Sequence, residues 1–516
     1  MENQHPEEPI AEEQVAQQPA AETAGGEAVA TSPEYRGFAG KLDRFFGIRK
    51  MGSNFRTEIL AGVTTFMTMV YILLANPGIF LGTNPDGSQI IPQMTFGAAY
   101  IFTAIGAIIG TLLMAFLAKI PFAQAPGMGL NAFFVFTVCG ALGYSYANAL
   151  LIVLCSGILF LILTIVGARQ AIVRSVPQAI RIAIPAGIGL FIAFVGMQNA
   201  GIVVLDASTK VNLISFNVLK FSVSGTAMIS AAIAIVSLLL IAILSKLKVK
   251  ASVVLGIIGS AVLYYIVVAI GYAAGSESCK AVFDSIRFSP PIDAFKEFGE
   301  VSAGAVFIDG FKGIGKDEIF SFIAAMVAFA MVDMFDTIGT LMGTCQAAGK
   351  KSGLLDEKGE VKNIKKALLC DSIATCTGAM VGTSTVTTFV ESSAGVAEGG
   401  RTGLTSLIVS ILFIIAMFLS PIAQLIPSCA TAGALMYVGV LMMRNVVDID
   451  WKDPAAAVPA FLTITVMPFT YSISYGIAAG FISYLVIKLC TGKIKEISIV
   501  TVILSLLFIF MFLFTH

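Results

Sequence analysis

Apolar runs of about 20 residues recur from Ile59 to the C-terminus of this 516-residue chain. That is the length an α-helix needs to cross the hydrocarbon core of a bilayer. A backbone inside lipid must satisfy its own hydrogen bonds, so these runs cross as helices. Charged residues make up only 12% of the sequence, about half their usual share in soluble domains. The chain therefore reads as an all-α polytopic membrane protein. Lys+Arg and Asp+Glu balance at 32 each, so charge implies no nucleic-acid partner. The two histidines, His5 and His516, are terminal, and the eight cysteines form no CxxC pair. A histidine metal site, a Ser–His triad and a disulfide framework are thereby excluded, and no cofactor is implied.

Residues 1–34 are rich in Glu, Gln, Ala and Pro and read as a disordered cytoplasmic tail without a cleavable signal peptide. Over residues 35–55, Phe38, Leu42, Phe45 and Phe46 alternate with Arg36, Lys41, Arg44, Arg49 and Lys50, the pattern of an interfacial amphipathic segment. Crossings follow at about Thr57–Asn76, Phe96–Leu117, Ala125–Cys139, Asn148–Val166, Ile182–Ala200, Ala227–Leu244 and Val253–Ala273. A second set lies at about Ile319–Gly343, Ala367–Val381, Val381–Gly403, Leu404–Ser420, Ala430–Met443, Ala455–Phe469 and Ile477–Leu489. The loops after even-numbered crossings carry the basic residues, among them Lys119, Arg169, Lys248, Lys350, Arg401, Arg444 and Lys493. Cytoplasmic loops are the basic ones, so both ends of a fourteen-segment set lie inside. The run Ile497–Phe514 is either a fifteenth crossing or a peripheral helix.

Two crossings are not written as lipid-facing helices. The third holds Ala125-Pro-Gly-Met-Gly-Leu-Asn-Ala-Phe-Phe134, and the tenth holds Gly382-Thr-Ser-Thr-Val-Thr-Thr-Phe-Val-Glu391 and continues to Gly403. Pro126, Gly127 and Gly129 disfavour a continuous helix, so a helical half is expected from near Leu130. The Thr and Ser run reads as extended backbone leading to a second half-helix near Glu391. Each interruption is third in its set of seven, and seven is odd, so the two sets run through the membrane in opposite directions. Paired broken segments at matching places in two halves point to a transporter's binding site near the midplane. Small residues that let helices pack closely are the alternative reading for either segment alone.

Carboxylates at membrane depth sharpen this. The eighth crossing is uncharged from Ile319 to Val332, which puts Asp333 about 21 Å in at 1.5 Å per residue. An aspartate there costs about 2.5–3.5 kcal/mol on insertion scales and is usually functional. Asp336 shares its helix face. Glu391 is the third candidate. Asp371 either anchors its helix or joins a proton path, Glu398 reads as an ion pair or cap near Arg401, and Glu58 and Arg56 read as interfacial. Carboxylates accept hydrogen bonds and, when protonated, also donate them. With Asn131 and the rings of Phe133, Phe134, Phe335 and Phe389, they suit a small planar ring bearing N–H groups.

At Thr57–Pro77, Ala125–Phe134, Asp333–Thr340 and Gly382–Gly403 the sequence resembles the nucleobase–cation symporter-2 (nucleobase–ascorbate transporter) superfamily, and more closely its AzgA-like purine permease branch. The resemblance covers about Arg44 to Leu489. It implies a seven-plus-seven inverted repeat of the uracil-permease kind, with discontinuous segments three and ten. A core domain would comprise 56–168 and 316–421, and a gate domain 169–274 and 422–495. An extracellular loop would occupy 275–315, and an extra hydrophobic segment 496–516. The gate is often the dimer interface in such proteins, which implies a homodimer. Elevator-like movement and proton symport of adenine, guanine or hypoxanthine in a cell membrane are also implied, with the proton as coupling ion.

Carried over residue by residue, the resemblance implies substrate contacts at Asn131, Asp336 and Glu391; Phe133, Phe389 and Ser392 are expected to complete the substrate site. Proton coupling would fall to Asp333, Asp336 and Glu391. Xanthine and uric acid carriers follow the segment-ten acid or amide with Asn. Ser392 stands there instead, which argues against xanthine or uracil. An anion carrier of the same fold would need a cation near the segment-ten half-helix, and Arg401 lies at the rim. A membrane-embedded enzyme or receptor finds no metal cluster or nucleophile–base pair to support it.

Overall fold

The computed structural model describes residues 37–84, 87–167, 175–206, 208–216, 221–285, 290–313, 315, 319–348, 352–356 and 361–514. The expected tail over 1–34 and several basic loop residues, Arg169, Arg174, Lys350 and Lys351 among them, lie outside these. The chain falls into two compact units, divided after Phe45. Helix α1 (Gly37–Phe46) ends the first unit, with the Arg44 side chain on the Gly40 carbonyl.

Among the described residues of the second unit, the regular elements are helices apart from four short strands. The first crossing is α2 (Phe55–Met69) and α3 (Ile72–Phe80), broken at Val70–Tyr71. Just before the break the Thr68 hydroxyl takes the carbonyls of Thr65 and Thr64 at 2.8 and 3.1 Å. Such back-bonding competes with the helix ladder. Then come α4 (Phe96–Leu113), β1 (Gln124–Pro126), α5 (Met128–Ala132), α6 (Tyr146–Val166) and α7 (Gln178–Asn199). A hairpin, β2 (Val203–Asp206) and β3 (Lys210–Leu213), precedes α8 (Phe221–Lys246) and α9 (Ser252–Ala273). α5 continues as a π-helix over Phe133–Ala141.

The expected loop over 275–315 contains helices α10 (Glu277–Ser285), α11 (Pro291–Val301) and α12 (Ala305–Ile308). Pro291 at its first position starts α11, where a missing N–H costs nothing. The second set follows: α13 (Ile319–Ala348), α14 (Ile364–Val381), β4 (Val386–Thr388), α15 (Ser392–Ala397), α16 (Gly403–Met417), α17 (Ser420–Ala423), α18 (Ser428–Met442), α19 (Pro454–Thr470), α20 (Ile473–Cys490) and α21 (Ile499–Phe514). Among the described residues nine helices are long and apolar enough to cross a membrane, and four shorter apolar ones join them.

α7 packs on α18 and α19, α19 on α20, and α8 on α9 and α18. Separately, α14 packs on α4 and α6, and α16 on α2 and α4. Close backbone approach needs glycine where α18 meets α7. A Cβ on Gly439 would sit 2.4 Å from the Gly189 carbonyl oxygen.

Both interruptions anticipated above are present, and they meet. β1 and β4 pair antiparallel, with Gln124 opposite Thr388 and Pro126 opposite Val386. Gly127 N–H donates to Thr385 O at 3.1 Å, and Phe389 N–H to Ala123 O at 3.0 Å. Non-helical backbone at membrane depth must be satisfied by protein, and each broken segment supplies the other's partners.

One buried group differs from the sequence expectation. Glu58 is not interfacial but fully buried. Its carboxylate accepts from Arg401 N at 3.0 Å, Thr402 N at 3.3 Å and the Thr405 hydroxyl at 2.6 Å, satisfying the N-terminus of α16, whose orphan N–H groups favour an anion. Glu398 makes the expected ion pair, with Lys250 at 2.6 Å, while the Arg401 guanidinium donates to the carbonyls of Val396 and Gly400 at 2.6 and 2.7 Å.

Candidate functional site

The ribbon β1–β4 delivers both half-helices to one place. α5 starts one residue after β1, and α15 starts just beyond Glu391. Beside them a small crevice opens between α5, α7, α13 and α18. It is lined by Gly129, Leu130, Ile184, Pro185, Ile188, Val332, Asp336 and Met442. An apolar lining with few polar groups is usual for small-molecule sites. Asp336 is its one charged wall residue. Gly129 keeps it open against α7, since a Cβ there would lie 2.4 Å from Ile188 Cγ2.

Asp333 and Asp336 part company despite their shared face. Asp333 is fully buried and accepts from the Thr375 hydroxyl of α14 at 3.1 Å. Asp336, partly exposed, is left to the crevice. One residue on, Thr337 donates to Asp371 Oδ1 of α14 at 2.5 Å. Asp336 lies within electrostatic reach of both Asp371 and Glu391. Glu391 is partly exposed and is held by the Tyr71 hydroxyl, which donates to Oε1 at 2.7 Å. The first crossing's break thus places a phenol against segment ten. Nothing in the residue types announced Tyr71; the Thr-rich turn before it was the available signal.

The remaining sequence candidates sit in the frame around the crevice. Asn131 is fully buried, donating to Asn76 Oδ1 and accepting from the Ser384 hydroxyl. Asn76 in turn donates to the Thr103 hydroxyl at 2.6 Å. This chain of amides and hydroxyls ties segments one, two, three and ten together. The Ser392 hydroxyl accepts from Ala123 N at 3.0 Å, pinning α15 to the residue just before β1. Phe133 packs on Phe329 with ring centroids 4.7 Å apart. Phe134 packs on Phe80 and Tyr146. Phe389 and Phe335 are buried. The structure therefore brings Asp336 to the crevice with Glu391 close by, and ties Asn131, Ser392 and Phe133 into the scaffold behind them.

A multi-pass helical bundle whose two chain-interrupted crossings meet beside an acidic crevice is a membrane transporter in architecture. The sequence profile of the Permease family matches residues 56–479, and the chain belongs to that family, within the nucleobase–cation symporter-2 superfamily. It is 39% identical over 478 residues to "Adenine permease AdeP" of Escherichia coli, covering 92% of this chain and 96% of that protein. It is 38% identical over 470 residues to "Guanine/hypoxanthine permease PbuO" of Bacillus subtilis, covering 90% and 98%. Among solved structures, the transmembrane domain of the cyanobacterial bicarbonate transporter BicA superposes with a TM-score of 0.54 at 16% identity, over 82% of this chain and 96% of that one. That likeness is one of fold.

Proposed function

We propose that this protein imports purine nucleobases across a cell membrane by proton symport. The observation that carries the reading is the crevice between α5, α13, α7 and α18 with Asp336 as its one charged wall residue and Glu391 nearby. A purine ring is flat and apolar on its faces and presents N–H donors at its edge. Leu130, Ile184, Ile188 and Met442 suit the faces, and the carboxylates suit the edge. The relatives named above as adenine and guanine/hypoxanthine permeases support the same substrate class. An anion carrier of this fold would place a cation at the crevice, and among the described residues no Lys or Arg lines it.

In this reading the halves are a seven-plus-seven inverted repeat. The core comprises 56–168 and 316–421, and the gate 169–274 and 422–495, joined by the helical segment 275–315. The crevice has α5 and α13 on its core side and α7 and α18 on its gate side. Sliding of the core as an elevator would carry Asp336 past the gate and expose substrate alternately to the two faces. Coupling arises because a carboxyl group beside a bound purine can take up and release a proton. The N-terminus lies in the cytoplasm. Exposed apolar residues of α8 and α9, such as Leu239, Ile243, Val262 and Ile266, face lipid or a second copy in a gate-mediated homodimer.

The test is uptake of radiolabelled adenine, guanine and hypoxanthine by cells lacking their own purine carriers, with and without a protonophore. Saturable uptake that collapses with the proton gradient is expected. No saturable purine uptake overturns the substrate; accumulation indifferent to the protonophore overturns the coupling alone.

A further inference from the structure

Three segments carry aromatic rings past one end of the crevice. α5 with its π-helical continuation, α7 and α19 each follow or begin at a basic residue, Lys119, Arg181 and Lys452 in turn. By the rule that basic loops lie inside, each runs from the cytoplasmic face outward. Phe136 lies beyond the crevice residues Gly129 and Leu130 on the first. Phe191 stands one turn beyond the crevice residue Ile188 on α7, on the same helix face. Tyr471 directly follows α19. Their rings converge. Phe136 meets Tyr471 with centroids 5.2 Å apart and planes at 84°, and Phe191 at 6.3 Å and 82°. Phe191 meets Tyr471 at 5.3 Å and 79°, and Phe194 adds a fourth ring 6.2 Å from Tyr471. Edge-to-face contacts of this kind are favoured ones. Phe136 and Phe191 are buried.

The neighbours of Phe136 set it apart from the other rings of its segment. Phe133 packs on Phe329, and Phe134 on Phe80 and Tyr146. All of those partners lie within 56–168 and 316–421. Among the described residues, the ring partners of Phe136 are Phe191 and Tyr471, which lie within 169–274 and 422–495. Its own side of the fold gives it a backing without a ring: a Cβ on Gly82 would stand 2.6 Å from Phe136 Cε1, so glycine there leaves room for the phenyl edge. The facing wall is held firmly. Tyr471 has φ 56°, a left-handed conformation that a residue with a side chain keeps only where its surroundings hold it. Its N–H donates to Met467 O. Its carbonyl accepts from the Thr137 hydroxyl at 3.3 Å, a single polar tie beside the rings.

From this geometry we propose that Phe136, seated between Phe191 and Tyr471, is the outer gate of the crevice and that the structure holds it closed. The inference rests on the core-and-gate reading above, in which Phe136 and Thr137 travel with the core while Phe191, Phe194 and Tyr471 stay with the gate. Displacing the core then withdraws one ring from a slot made by three. The rings separate as a unit, with one hydrogen bond to break and no charge to desolvate. An apolar constriction of this kind excludes water as well as solute. It therefore keeps the outer solution, and its protons, from Asp336 until Phe136 leaves its slot. The cytoplasmic ends of the same segments carry no matching ring cluster among the described residues, so the seal is one-sided.

The experiment places a reporter thiol in the crevice, Met442→Cys, in the full chain. A charged, membrane-impermeant methanethiosulfonate is added to intact cells and, separately, to inside-out vesicles. Labelling of the same protein without the reporter is subtracted for the native cysteines. Phe136→Ala should raise the rate of labelling from outside by tenfold or more. Tyr471→Gly, which removes the ring and eases the left-handed turn, should do the same, and Tyr471→Phe, which keeps the ring, should stay within twofold of the reporter alone. An outside rate unmoved by both ring deletions overturns the proposal. Equal acceleration from both sides marks a loosened fold, and acceleration from the cytoplasmic side alone reverses the sidedness; either result overturns it too. Should Phe136→Ala fail to reach the membrane, the Tyr471→Gly and Tyr471→Phe pair decides alone. The readout needs neither purine transport nor a proton gradient, so failure of the substrate or coupling reading shows in the uptake experiment and not in this one.

Discussion

Replacing Tyr71 with phenylalanine removes one oxygen and leaves the ring. That oxygen donates to Glu391 Oε1 at 2.7 Å from a residue only 1% exposed, so water cannot readily take its place. A hydrogen bond to a charged group is worth about 1.5–3 kcal/mol. If the whole of that energy positions Glu391 for transport, Tyr71→Phe lowers the specificity of uptake, kcat/KM, by about 10- to 150-fold. The assay is the initial rate of labelled adenine uptake across a concentration series, normalised to protein in the membrane. Glu391→Asp supplies an internal control, because it keeps the carboxylate but withdraws it from the phenol. In that background Tyr71→Phe should cost well under its effect on the wild type, since residues sharing one interaction are not additive. Uptake by Tyr71→Phe within twofold of wild type refutes the positioning role, as does an equal loss in both backgrounds.

Asp336→Asn and Glu391→Gln should each nearly abolish purine uptake while the protein still reaches the membrane; near-wild-type uptake by either removes it from the site. Asp333→Asn should act differently, lowering thermal stability in detergent with a smaller effect on purine affinity, because Asp333 meets Thr375 inside the bundle; a selective loss of affinity would contradict this. Gly129→Val should block the crevice, since even a Cβ would stand 2.4 Å from Ile188 Cγ2, and Ile188→Ala should restore part of the uptake; a functional single variant speaks against this crevice. Glu58→Ala leaves three donors at the start of α16 without their acceptor. At about 1–3 kcal/mol per buried unsatisfied group, the melting temperature in detergent should fall by several degrees.

What could be read from the sequence was what period, length and local chemistry determine. The apolar runs located the crossings, and Pro126 with Gly127 and Gly129 located the break in the third. The Thr-rich stretch before Glu391 foretold extended backbone, and β4 is there. Partner choice across the fold was not legible. Asp333 and Asp336 are equivalent by spacing, and only the position of α14 decides that one meets Thr375 while the other reaches the crevice. Glu58 stands beside Arg56 at the start of a crossing, which looks interfacial, yet the start of α16 more than three hundred residues later claims it. Asn131 carries the amide expected of a binding group, but Asn76 and Ser384 take both of its functional ends. Nothing local to Asn131 encodes that.

The pairing of β1 with β4 explains why two interruptions serve better than one. A single broken crossing would leave its extended residues with unmet N–H and C=O groups in a region without free water, at a cost of several kcal/mol each. Two breaks in matching places cancel that cost, because extended backbone is self-complementary. The same pairing has a mechanical consequence. Gln124–Pro126 and Val386–Thr388 are locked in register, α15 is pinned to the first by Ser392 and Ala123, and Ser384 reaches Asn131 across the ribbon. Neither half-helix can then shift without taking the other. α13, joined to the ribbon where Thr337 meets Thr387 and Thr388, would carry Asp336 with them as one body. Such a unit cannot open one half of its site while the other stays closed. In the proposed elevator reading, alternating access would come from displacement of the unit against α7 and α18, which meet closely at Gly189 and Gly439. Engineered disulfides test that step. A bond across the ribbon, Pro126→Cys with Val386→Cys, which stand opposite each other, should leave transport intact. A bond from Gly129→Cys to Ile188→Cys should arrest it and be reversed by reductant. Arrest by the first or indifference to the second would show that the half-helices, and not the unit, do the moving.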